Sequence, residues 1–474
     1  MTEESLVNLY TKFVGKAPLR YEELPGSGSH RRYFRLFRDE GSTIIGVIGT
    51  DVRENRAFIS ICNHFRSKGL TVPAVLAVSD DWMCYLQTDL GRVCLFDAVA
   101  RGRERGVYSP DEEALLLKTM SRLPAIQFRG GDGLDWDVCY PQREFDARMI
   151  NFDLNYFKYC FLKATGLEFD ETLLQDDFDL LREDLLQECG NTFMYRDFQA
   201  RNVMLCEGEP YFIDFQGGRR GPIWYDVASF VWQARSRYPE DLKDKMVSTY
   251  LDALKEFMDI DGESFRERLR LFILFRTLQV LGAYGFRGYF EKKPHFMASV
   301  PYALDNLRRL LREPFGRYPY LTGVLQSLTE MPQFYSSATD HRLQVHVWSF
   351  AFKKGIPSDP TGNGGGYVFD CRSVNNPGKY EYYRQFNGKD PEVIKFLEDD
   401  GEILTFLDNV YSLVDAHVKR FMERKFTNLQ VSFGCTGGQH RSVYCAEHLA
   451  ARLAGRFDVR VLLTHRELGE ERML

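Results

Sequence analysis

Three oxygen-bearing side chains lie at a spacing that suits phosphoryl transfer. Asp197 and Asn202 are five residues apart, and Asp214 follows twelve residues after Asn202. Phosphoryl transfer from a nucleotide needs a carboxylate that accepts the proton of the attacking hydroxyl, and oxygen ligands for Mg2+ on the phosphates. A loop with Asp and Asn, followed by a strand that ends at a second Asp, supplies these three groups. The short hairpin predicted at 203–212 would bring Asn202 and Asp214 onto one metal ion.

A second cluster lies in a glycine-rich loop near the end of the sequence. The apolar stretch 429–433 runs into this loop, and a helix is predicted over 438–454. The N–H groups of such a loop and the dipole of the following helix bind anions. The candidate binding residues are Cys435, Thr436, Gly437, Gly438, His440, Arg441 and Ser442. The loop therefore predicts a phosphate or oxyanion site, in which Arg441 can bind phosphate bidentately.

The same loop has a second interpretation. Cys435 is followed by five residues and then by Arg441 and Ser442, which is also the spacing of a cysteine phosphatase loop. In such a loop the thiolate attacks phosphorus and the arginine holds the phosphoryl oxygens. Both interpretations place an anion here, and they differ in whether Cys435 forms a covalent intermediate.

The elements that would position these groups change along the sequence. Apolar alternation predicts strands at 19–24, 32–38, 42–49, 75–79 and 83–88, with a helix over 53–68 after the third strand. Helical periodicity follows at 110–127, 142–164, 171–188, 227–235, 240–258, 262–287 and 299–312, interrupted by a strand-rich insert at 192–216. Strands at 342–349, 367–372, 429–433 and 459–464 then alternate with helices at 390–424 and 438–454. This last alternation predicts a small α/β domain with a mainly parallel sheet.

Two features of the strand-rich part could contact a nucleotide. The turn between the first two strands contains Ser27, Gly28 and Ser29, whose small side chains let backbone N–H groups approach phosphates. The helix predicted at 53–68 offers Glu54 where a kinase places its ion-pair glutamate. A strand-rich part followed by a helical part is the order of a two-lobed kinase.

Residues 1 to about 320 resemble the aminoglycoside phosphotransferase and choline kinase-like family. Within it they are similar to bacterial kinases that phosphorylate the anomeric hydroxyl of N-acetylmuramate or N-acetylglucosamine. The stretches that carry the resemblance are 31–35, 196–204, 213–217 and 224–228. The resemblance implies an α+β two-lobed protein-kinase-like fold with ATP and Mg2+ as cofactors. It implies Asp197 as the base, and Asn202 and Asp214 as metal ligands.

The resemblance also assigns supporting roles. It implies that Asp226 orients the catalytic loop, and that a hinge at 86–91, which includes Gln87 and Asp89, meets the adenine of ATP.

Two positions depart from the family pattern. The histidine that usually precedes the catalytic Asp by two residues is Tyr195 here. The third strand, at 44–48, lacks the lysine that binds the ATP phosphates. Arg31, Arg32 or Arg35 could supply that charge, and a solvated strand face is the alternative interpretation of these arginines. The missing lysine also leaves open a pseudokinase-like regulator that binds ligands without transferring phosphate.

The region 341–468 resembles the C-terminal domain of the bacterial RNase adapter protein family, RapZ. The matching stretches are 349–357, 367–377 and 429–442. This family is phosphofructokinase-like in fold and is implicated in sensing glucosamine 6-phosphate and in binding a small RNA. The Walker motif of its usual partner domain is not found in this sequence. The 18 Lys and Arg against 17 Asp and Glu after residue 340 do not favour RNA binding.

Three polar residues follow another strand of this region. Asp370, Arg372 and Asn376 lie at or just beyond the end of the strand predicted at 367–372. In an open α/β sheet the carboxyl ends of the strands meet at the ligand crevice. We therefore expect these residues to line the same pocket as the glycine-rich loop.

Composition limits the remaining possibilities. The 474 residues are 44% hydrophobic and 27% charged with a net charge of -6, which is typical of a globular protein without a basic field. The ten cysteines form no C-x-x-C motif, which predicts free thiols in a reducing, cytoplasmic environment. No uninterrupted apolar run approaches the roughly 18 residues of a membrane span, so no membrane partner is expected.

Together these patterns predict four segments: a first kinase lobe at 1–90, a helical lobe at 91–320, a linker at 321–340 and an anion-binding domain at 341–474. The expected function is that of an ATP- and Mg2+-dependent kinase that phosphorylates a hydroxyl of a sugar or amino sugar. The family resemblance implies that this is the anomeric hydroxyl. The C-terminal domain is expected to sense a sugar phosphate or another oxyanion.

Overall fold

The computed structural model describes residues 3–25, 31–39, 41–187, 190–334, 342–359, 366–424 and 426–474. The chain divides into two compact units. The first unit comprises Met1–Glu291 and Tyr302–Phe334, and the second comprises Lys292–Pro301 and Tyr335–Leu474. The first unit carries the predicted phosphoryl-transfer residues, and the second carries the glycine-rich loop.

The first unit begins with an antiparallel sheet in the strand order β1-β2-β3-β5-β4. Its elements are α1 (Glu3–Val14), β1 (Arg20–Leu24), β2 (Arg32–Phe37), β3 (Thr43–Ile48), α2 (Val52–Ser67), β4 (Val75–Val78) and β5 (Cys84–Thr88). Leu6 and Tyr10 of α1 lie in one buried cluster with Phe34 and Leu36 of β2. Helix α2 begins after Asp51, whose carboxylate accepts a backbone N–H of the first turn, as an N-cap residue does.

The chain continues as a mainly helical lobe with two short two-stranded sheets. The elements that follow in chain order are α3 (Leu95–Ala98), α4 (Ala100–Arg105), α5 (Pro110–Gly131), α6 (Ala147–Phe157), α7 (Glu171–Leu186), β6 (Thr192–Met194), β7 (Val203–Cys206), β8 (Glu209–Phe212), β9 (Arg219–Gly221), α8 (Trp224–Val231), α9 (Glu240–Leu254), α10 (Gly262–Gly285), α11 (Pro294–Met297), α12 (Val300–Leu310) and α13 (Pro319–Thr329). Helix α11 and the first residues of α12 lie in the stretch Lys292–Pro301, which belongs to the second unit. Strand β6 pairs with β9 and β7 pairs with β8, both antiparallel. The two-lobed kinase-like architecture predicted from the sequence is confirmed.

The predicted linker at 321–340 differs from the structure over its first part. Helix α13 crosses 321–329, and its Leu321, Leu325 and Leu328 are buried. Pro319 is the first residue of this helix, where its missing N–H costs nothing. The segment 321–329 is therefore packed against the first unit, and residues 335–341 lie outside the described residues.

The second unit is a five-stranded sheet in the order β11-β12-β10-β13-β14. Its elements are β10 (Gln344–Ala351), β11 (Tyr367–Asp370), α14 (Pro391–Asp400), α15 (Glu402–Glu423), β12 (Asn428–Cys435), α16 (Arg441–Arg456), β13 (Arg460–His465) and β14 (Glu470–Met473). Strands β11, β12, β10 and β13 are parallel, as predicted. The last strand, β14, was not predicted, and it pairs antiparallel with β13.

The single helix predicted at 390–424 is two helices. Gly401 separates α14 from α15 and has a φ of 76°, a left-handed conformation that ends a helix readily only at glycine. Buried side chains of α14, α15 and α16 share one core cluster with strands β10, β12 and β13.

One helical stretch of the described residues, Gly262–Phe290, is long and apolar enough to cross a membrane by length and composition alone. A buried core helix passes the same test, and 61% of its apolar window is buried inside the protein.

Candidate active site and anion-binding loop

A buried carboxylate holds the catalytic loop in place. Asp226 of α8 is fully buried, and its carboxylate oxygens accept the backbone N–H groups of Tyr195 and Arg196 at 2.8 and 2.9 Å. Arg196 has a φ of 73°, which is uncommon for a residue with a side chain, so these bonds stabilise an unfavourable turn. Burial raises the pKa of Asp226 to about 7 despite the two N–H donors. This geometry agrees with the loop-orienting role predicted for Asp226.

The loop brings Asp197, Asn202 and Asp214 together. Asn202 Nδ2 donates to the carbonyl oxygen of Asp197 at 2.8 Å. The hairpin of β7 and β8 then returns the chain, and Ile213 N donates to the Asn202 carbonyl at 3.0 Å. Burial and the negative charge of Asp197 raise the pKa of Asp214, because the two carboxylates lie close enough to repel each other. Asp197 itself is partly exposed, so a substrate hydroxyl can reach it.

These groups fit a magnesium ion. Asp214 and Asn202 offer a carboxylate and an amide oxygen, and Mg2+ is usually held by one or two such side chains together with phosphates and water. Mutual repulsion between Asp214 and Asp197 would be relieved by a cation between them. Across the part of the chain that the structure describes, no group of three or more His, Cys, Asp or Glu side chains could hold a metal alone.

Arg31 takes the position that the missing strand lysine leaves open. Its guanidinium is almost fully buried and lies 3.1 Å from Glu54 Oε1 of α2, and it also donates to the Glu54 carbonyl at 3.2 Å. Strand β3 offers only aliphatic residues, glycine and Thr43. The predicted ion-pair glutamate thus has a cationic partner, although that partner lies just before β2 rather than on β3.

Arg32 and Arg35, the other candidates for this charge, are used elsewhere. Arg32 is exposed and pairs with Glu3 and Glu23. Arg35 pairs with Asp89 and donates to the Gly91 carbonyl at 2.7 Å. Neither guanidinium forms an ion pair with Glu54 among the described residues, so Arg31 is the arginine of the three that pairs with this glutamate.

The predicted hinge residues lie at the end of β5. The Asp89 carboxylate accepts from Arg35, from Thr43 Oγ1 at 2.7 Å and from Gly91 N at 2.9 Å, so its side chain holds the hinge rather than facing a ligand. Gln87 is buried, with its Oε1 unpartnered among the described residues. The predicted phosphate-binding residues Ser27, Gly28 and Ser29 lie outside the described residues.

Two buried polar residues of this site, Gln216 and Asp153, lie outside the predicted set. Gln216 donates to Asp214 Oδ1 at 2.7 Å. Asp153 of α6 lies 3.8 Å from the Arg196 guanidinium, and burial raises its pKa. The position of Gln216 two residues after Asp214 was the only signal available for it, and nothing in the spacing marked Asp153.

In the second unit, strand β12 runs into the glycine-rich loop and α16 begins at Arg441. Cys435 Sγ accepts the N–H of Gly438 and contacts Ser442 Oγ, both at 3.1 Å. Gly438 has a φ of 69°, and a Cβ at this position would lie 2.3 Å from Glu467 Cγ and 2.8 Å from Ala351 N. Thr436 and Gly437 are the exposed residues at the tip of the loop.

Arg441 and His440 face the protein rather than open solvent. Arg441 is 3% exposed, and its Nη1 donates to the carbonyls of Val374 and Arg372 at 2.7 and 3.2 Å. His440 Nε2 lies 2.9 Å from the Tyr383 carbonyl. The structure therefore uses Arg441 Nη1 to tie the segment after β11 to α16, which differs from the bidentate phosphate contact predicted for it.

The polar residues after β11 lie at the same edge of the sheet. Asp370 pairs with Gly434 in the register of β11 and β12, and its carboxylate lies 2.6 Å from the Arg372 guanidinium. Asn376 Oδ1 accepts the N–H of Gly378, where a Cβ would lie 3.4 Å from the His440 ring. The residues predicted to line one pocket are thus gathered at the carboxyl ends of two neighbouring strands.

The geometry of the loop does not favour the phosphatase interpretation. Cys435 is 3% exposed and belongs to the hydrophobic core of the second unit. A thiol that attacks phosphorus needs access to its substrate. The buried Sγ instead anchors the loop through Gly438 and Ser442.

Comparison with known proteins finds one family match in each unit. Residues 20–267 match the family described as "Phosphotransferase enzyme family", and residues 343–469 match "RapZ C-terminal domain". A "Nucleotide-binding protein" of Dechloromonas aromatica (strain RCB) is 41% identical over 137 residues, which is 29% of this chain and 46% of the relative. Another, from Methylococcus capsulatus, is 41% identical over 129 residues, 27% of this chain and 41% of that one. The chain thus spans less than half the length of these relatives.

Solved structures with a similar arrangement include kinases. Amicoumacin kinase hAmiN, in complex with AMP-PNP, Ca2+ and Ami, is 11% identical with a TM-score of 0.48, covering 67% of this chain and 97% of its own. Choline kinase from Cryptosporidium parvum Iowa II is 12% identical with a TM-score of 0.44, covering 65% and 93%.

The two lobes and the loop held by Asp226 define a kinase-like fold. The chain belongs to the phosphotransferase enzyme family, whose match covers more than half of its residues, and a RapZ C-terminal domain follows.

Gly438→Ala tests the packing of the glycine-rich loop. The new Cβ would meet Glu467 and the backbone of Ala351 at a residue with positive φ, so we expect the second unit to lose about 2 kcal/mol or more of stability. Gly437→Ala is the matched control, because a Cβ there meets nothing within 4 Å. Urea unfolding of the full chain measures both. Equal stability of the two variants would contradict the loop geometry.

Proposed function

We propose that the first unit is an ATP- and Mg2+-dependent kinase of a sugar or amino-sugar hydroxyl, the anomeric one in particular. The arrangement of Asp197, Asn202 and Asp214 supports the transfer chemistry. The polar surroundings of Asp197 support a hydroxyl-rich acceptor. We further propose that the second unit binds a sugar phosphate.

Each residue of the catalytic loop has a separable task in this proposal. Asp197 accepts the proton of the attacking hydroxyl at its partly exposed carboxylate. Asp226 keeps Asp197 in place through the N–H groups of Tyr195 and Arg196. Asn202 and Asp214 would hold Mg2+, which when bound neutralises charge on the phosphates. Arg31, fixed by Glu54, contributes positive charge near the turn predicted to cover the phosphates.

Asp153 carries the argument for a hydroxyl-rich acceptor. Its Oδ2 is buried with no hydrogen-bond partner among the described residues, and Asp153 is 2% exposed. An unpartnered buried carboxylate oxygen is costly, and a hydroxyl donor from a bound substrate would satisfy it. The charges of Arg196 and Asp197 act on this carboxylate, so it lies beside the catalytic loop. A sugar, with several hydroxyl groups, suits both carboxylates at once.

The sugar-phosphate proposal for the second unit is supported by the exposed tip of its loop. Thr436 and Gly437 are exposed in front of the N-terminus of the 16-residue helix α16, where backbone N–H groups favour an anion. Both units resemble proteins of amino-sugar and cell-wall precursor metabolism, which favours an amino-sugar phosphate over other oxyanions. The near-neutral charge after residue 340 favours a small ligand over RNA.

Asp197→Asn tests the catalytic assignment. Loss of the general base should lower kcat at least about a hundredfold while ATP binding persists. Asp214→Ala should instead abolish the Mg2+-dependent part of ATP binding. ADP release with N-acetylglucosamine, N-acetylmuramate, choline and an aminoglycoside, with Mg2+ or excess EDTA, measures turnover. No turnover of any of these by the wild-type chain, with ATP still bound, would favour the regulator over the kinase.

Asp153→Asn tests the acceptor proposal. The amide keeps the size of the side chain but weakens the acceptor for a substrate hydroxyl, so we expect KM for the sugar to rise about tenfold with KM for ATP unchanged. Asp179→Asn in α7, half-buried and paired with Arg182, is the control. A loss confined to thermal stability, with both KM values unchanged, would remove Asp153 from the acceptor site.

Arg441→Met and Cys435→Ser test the second unit. Arg441→Met removes the contacts to the Val374 and Arg372 carbonyls and so releases the segment that carries Asn376. Because the ligand would then have to order this segment, we expect glucosamine 6-phosphate binding to weaken at least about tenfold. Arg452→Met, on the same helix but paired with Asp415, is the control. Cys435→Ser should leave binding within about threefold, because a hydroxyl can replace the thiol contacts. Hydrolysis of p-nitrophenyl phosphate by the wild type but not by Cys435→Ser would establish a phosphatase instead.

A further inference from the structure

A hydrogen-bonded chain of side chains runs through the nucleotide site of the first unit. The guanidinium of Arg31 contacts Glu54 Oε1 at 3.1 Å. Gln216 Nε2 lies 3.5 Å from the same Glu54 oxygen and donates to Asp214 Oδ1 at 2.7 Å. A single amide therefore spans the gap between the ion pair and the proposed metal-binding carboxylate.

We propose that Gln216 is a positioning residue that couples the Arg31–Glu54 pair to Asp214, so that metal-dependent nucleotide binding depends on it. Arg31 lies next to the turn predicted to cover the phosphates. Asp214 and Asn202 are the proposed ligands of the metal ion. The proposal rests on the phosphotransferase assignment of the first unit, and it concerns nucleotide binding rather than the acceptor.

The chemistry of an amide suits this position. Its NH2 group has two hydrogens, one for each of the carboxylates of Glu54 and Asp214. A carboxylate in its place would add a third negative charge, and an aliphatic side chain would leave Asp214 without this donor. The amide therefore contacts both carboxylates without adding charge between them.

Gln216 has unused hydrogen-bonding capacity. The residue is 9% exposed, and its Oε1 has no partner among the described residues. Buried amide oxygens are nearly always satisfied in folded proteins. The unpartnered Gln216 Oε1 lies beside Asp214 and Glu54. It can accept a hydrogen bond from a ligand or from a bound water.

Packing of the segment does not depend on this amide. Phe215 is fully buried and stacks on Phe58 of α2 with ring centroids 5.1 Å apart, and it also contacts Phe65 and Tyr195. The Arg31 guanidinium lies 5.9 Å from the Phe58 ring centroid. Because Phe215 anchors the backbone, removal of the Gln216 amide should change the electrostatics of Asp214 more than the fold.

Gln216→Met in the full chain tests the proposal, since it keeps the length of the side chain and removes both donors. Calorimetric titration with ATP is carried out in Mg2+ and in excess EDTA. We expect affinity in Mg2+ to fall about tenfold while affinity in EDTA changes less than about twofold. Arg31→Met should weaken ATP binding in both conditions. In the double variant, the loss in Mg2+ should be smaller than the product of the two single losses.

The control is Gln175→Met in α7, where the amide likewise donates to a carboxylate, that of Asp179 at 3.2 Å, outside the catalytic loop. This variant should bind ATP as the wild type does. Gln216→Leu provides a second replacement if Gln216→Met fails to fold, as judged by its melting temperature. Equal losses in Mg2+ and EDTA, or no loss, would overturn the proposal. Absence of ATP binding by the wild-type chain would instead overturn the proposed function.

Discussion

The catalytic loop depends on one buried carboxylate that accepts two backbone N–H groups. Without Asp226, the left-handed backbone at Arg196 would have no compensation for its strain, and the N–H groups of Tyr195 and Arg196 would be buried without acceptors. The cost is a carboxylate taken out of water, which is why burial raises the pKa of Asp226. Asp197, the proposed proton acceptor, directly follows the two residues that Asp226 holds, so its position depends on this arrangement.

In the second unit, a buried thiol holds the glycine-rich loop in a similar way. The Sγ of Cys435 accepts the Gly438 N–H and contacts Ser442, so a weak acceptor shapes the loop from within. Arg441 then holds the neighbouring segment through the carbonyls of Arg372 and Val374. In both units, side chains that a motif search would assign to ligand contact or chemistry include some that instead hold the backbone. A residue in such a motif can therefore have a structural role, and its hydrogen bonds distinguish that role from a chemical one.

Local spacing predicted much of this molecule. The separation of Asp197, Asn202 and Asp214, the hairpin between them and the parallel strands of the second unit follow from short-range periodicity, and the structure contains them. The sequence does not show which arginine pairs with which carboxylate. Arg31, Arg32 and Arg35 lie within five residues, and only the folded structure shows that Arg31 pairs with Glu54 of α2 while Arg35 pairs with Asp89 after β5. Pro319 was equally ambiguous, because proline both interrupts and begins helices.

Strand β14 gives this fold a protected sheet edge. Its four exposed residues are Glu470, Glu471, Arg472 and Met473, and Glu471 accepts a hydrogen bond from Thr464 of β13 at 2.8 Å. Charged residues on an outer strand discourage pairing between molecules. The match to the RapZ C-terminal domain ends at residue 469, so a fragment cut at that boundary would leave the backbone of β13 open. If this fragment self-associated, the cause would be the exposed edge of β13, which β14 covers in the intact chain.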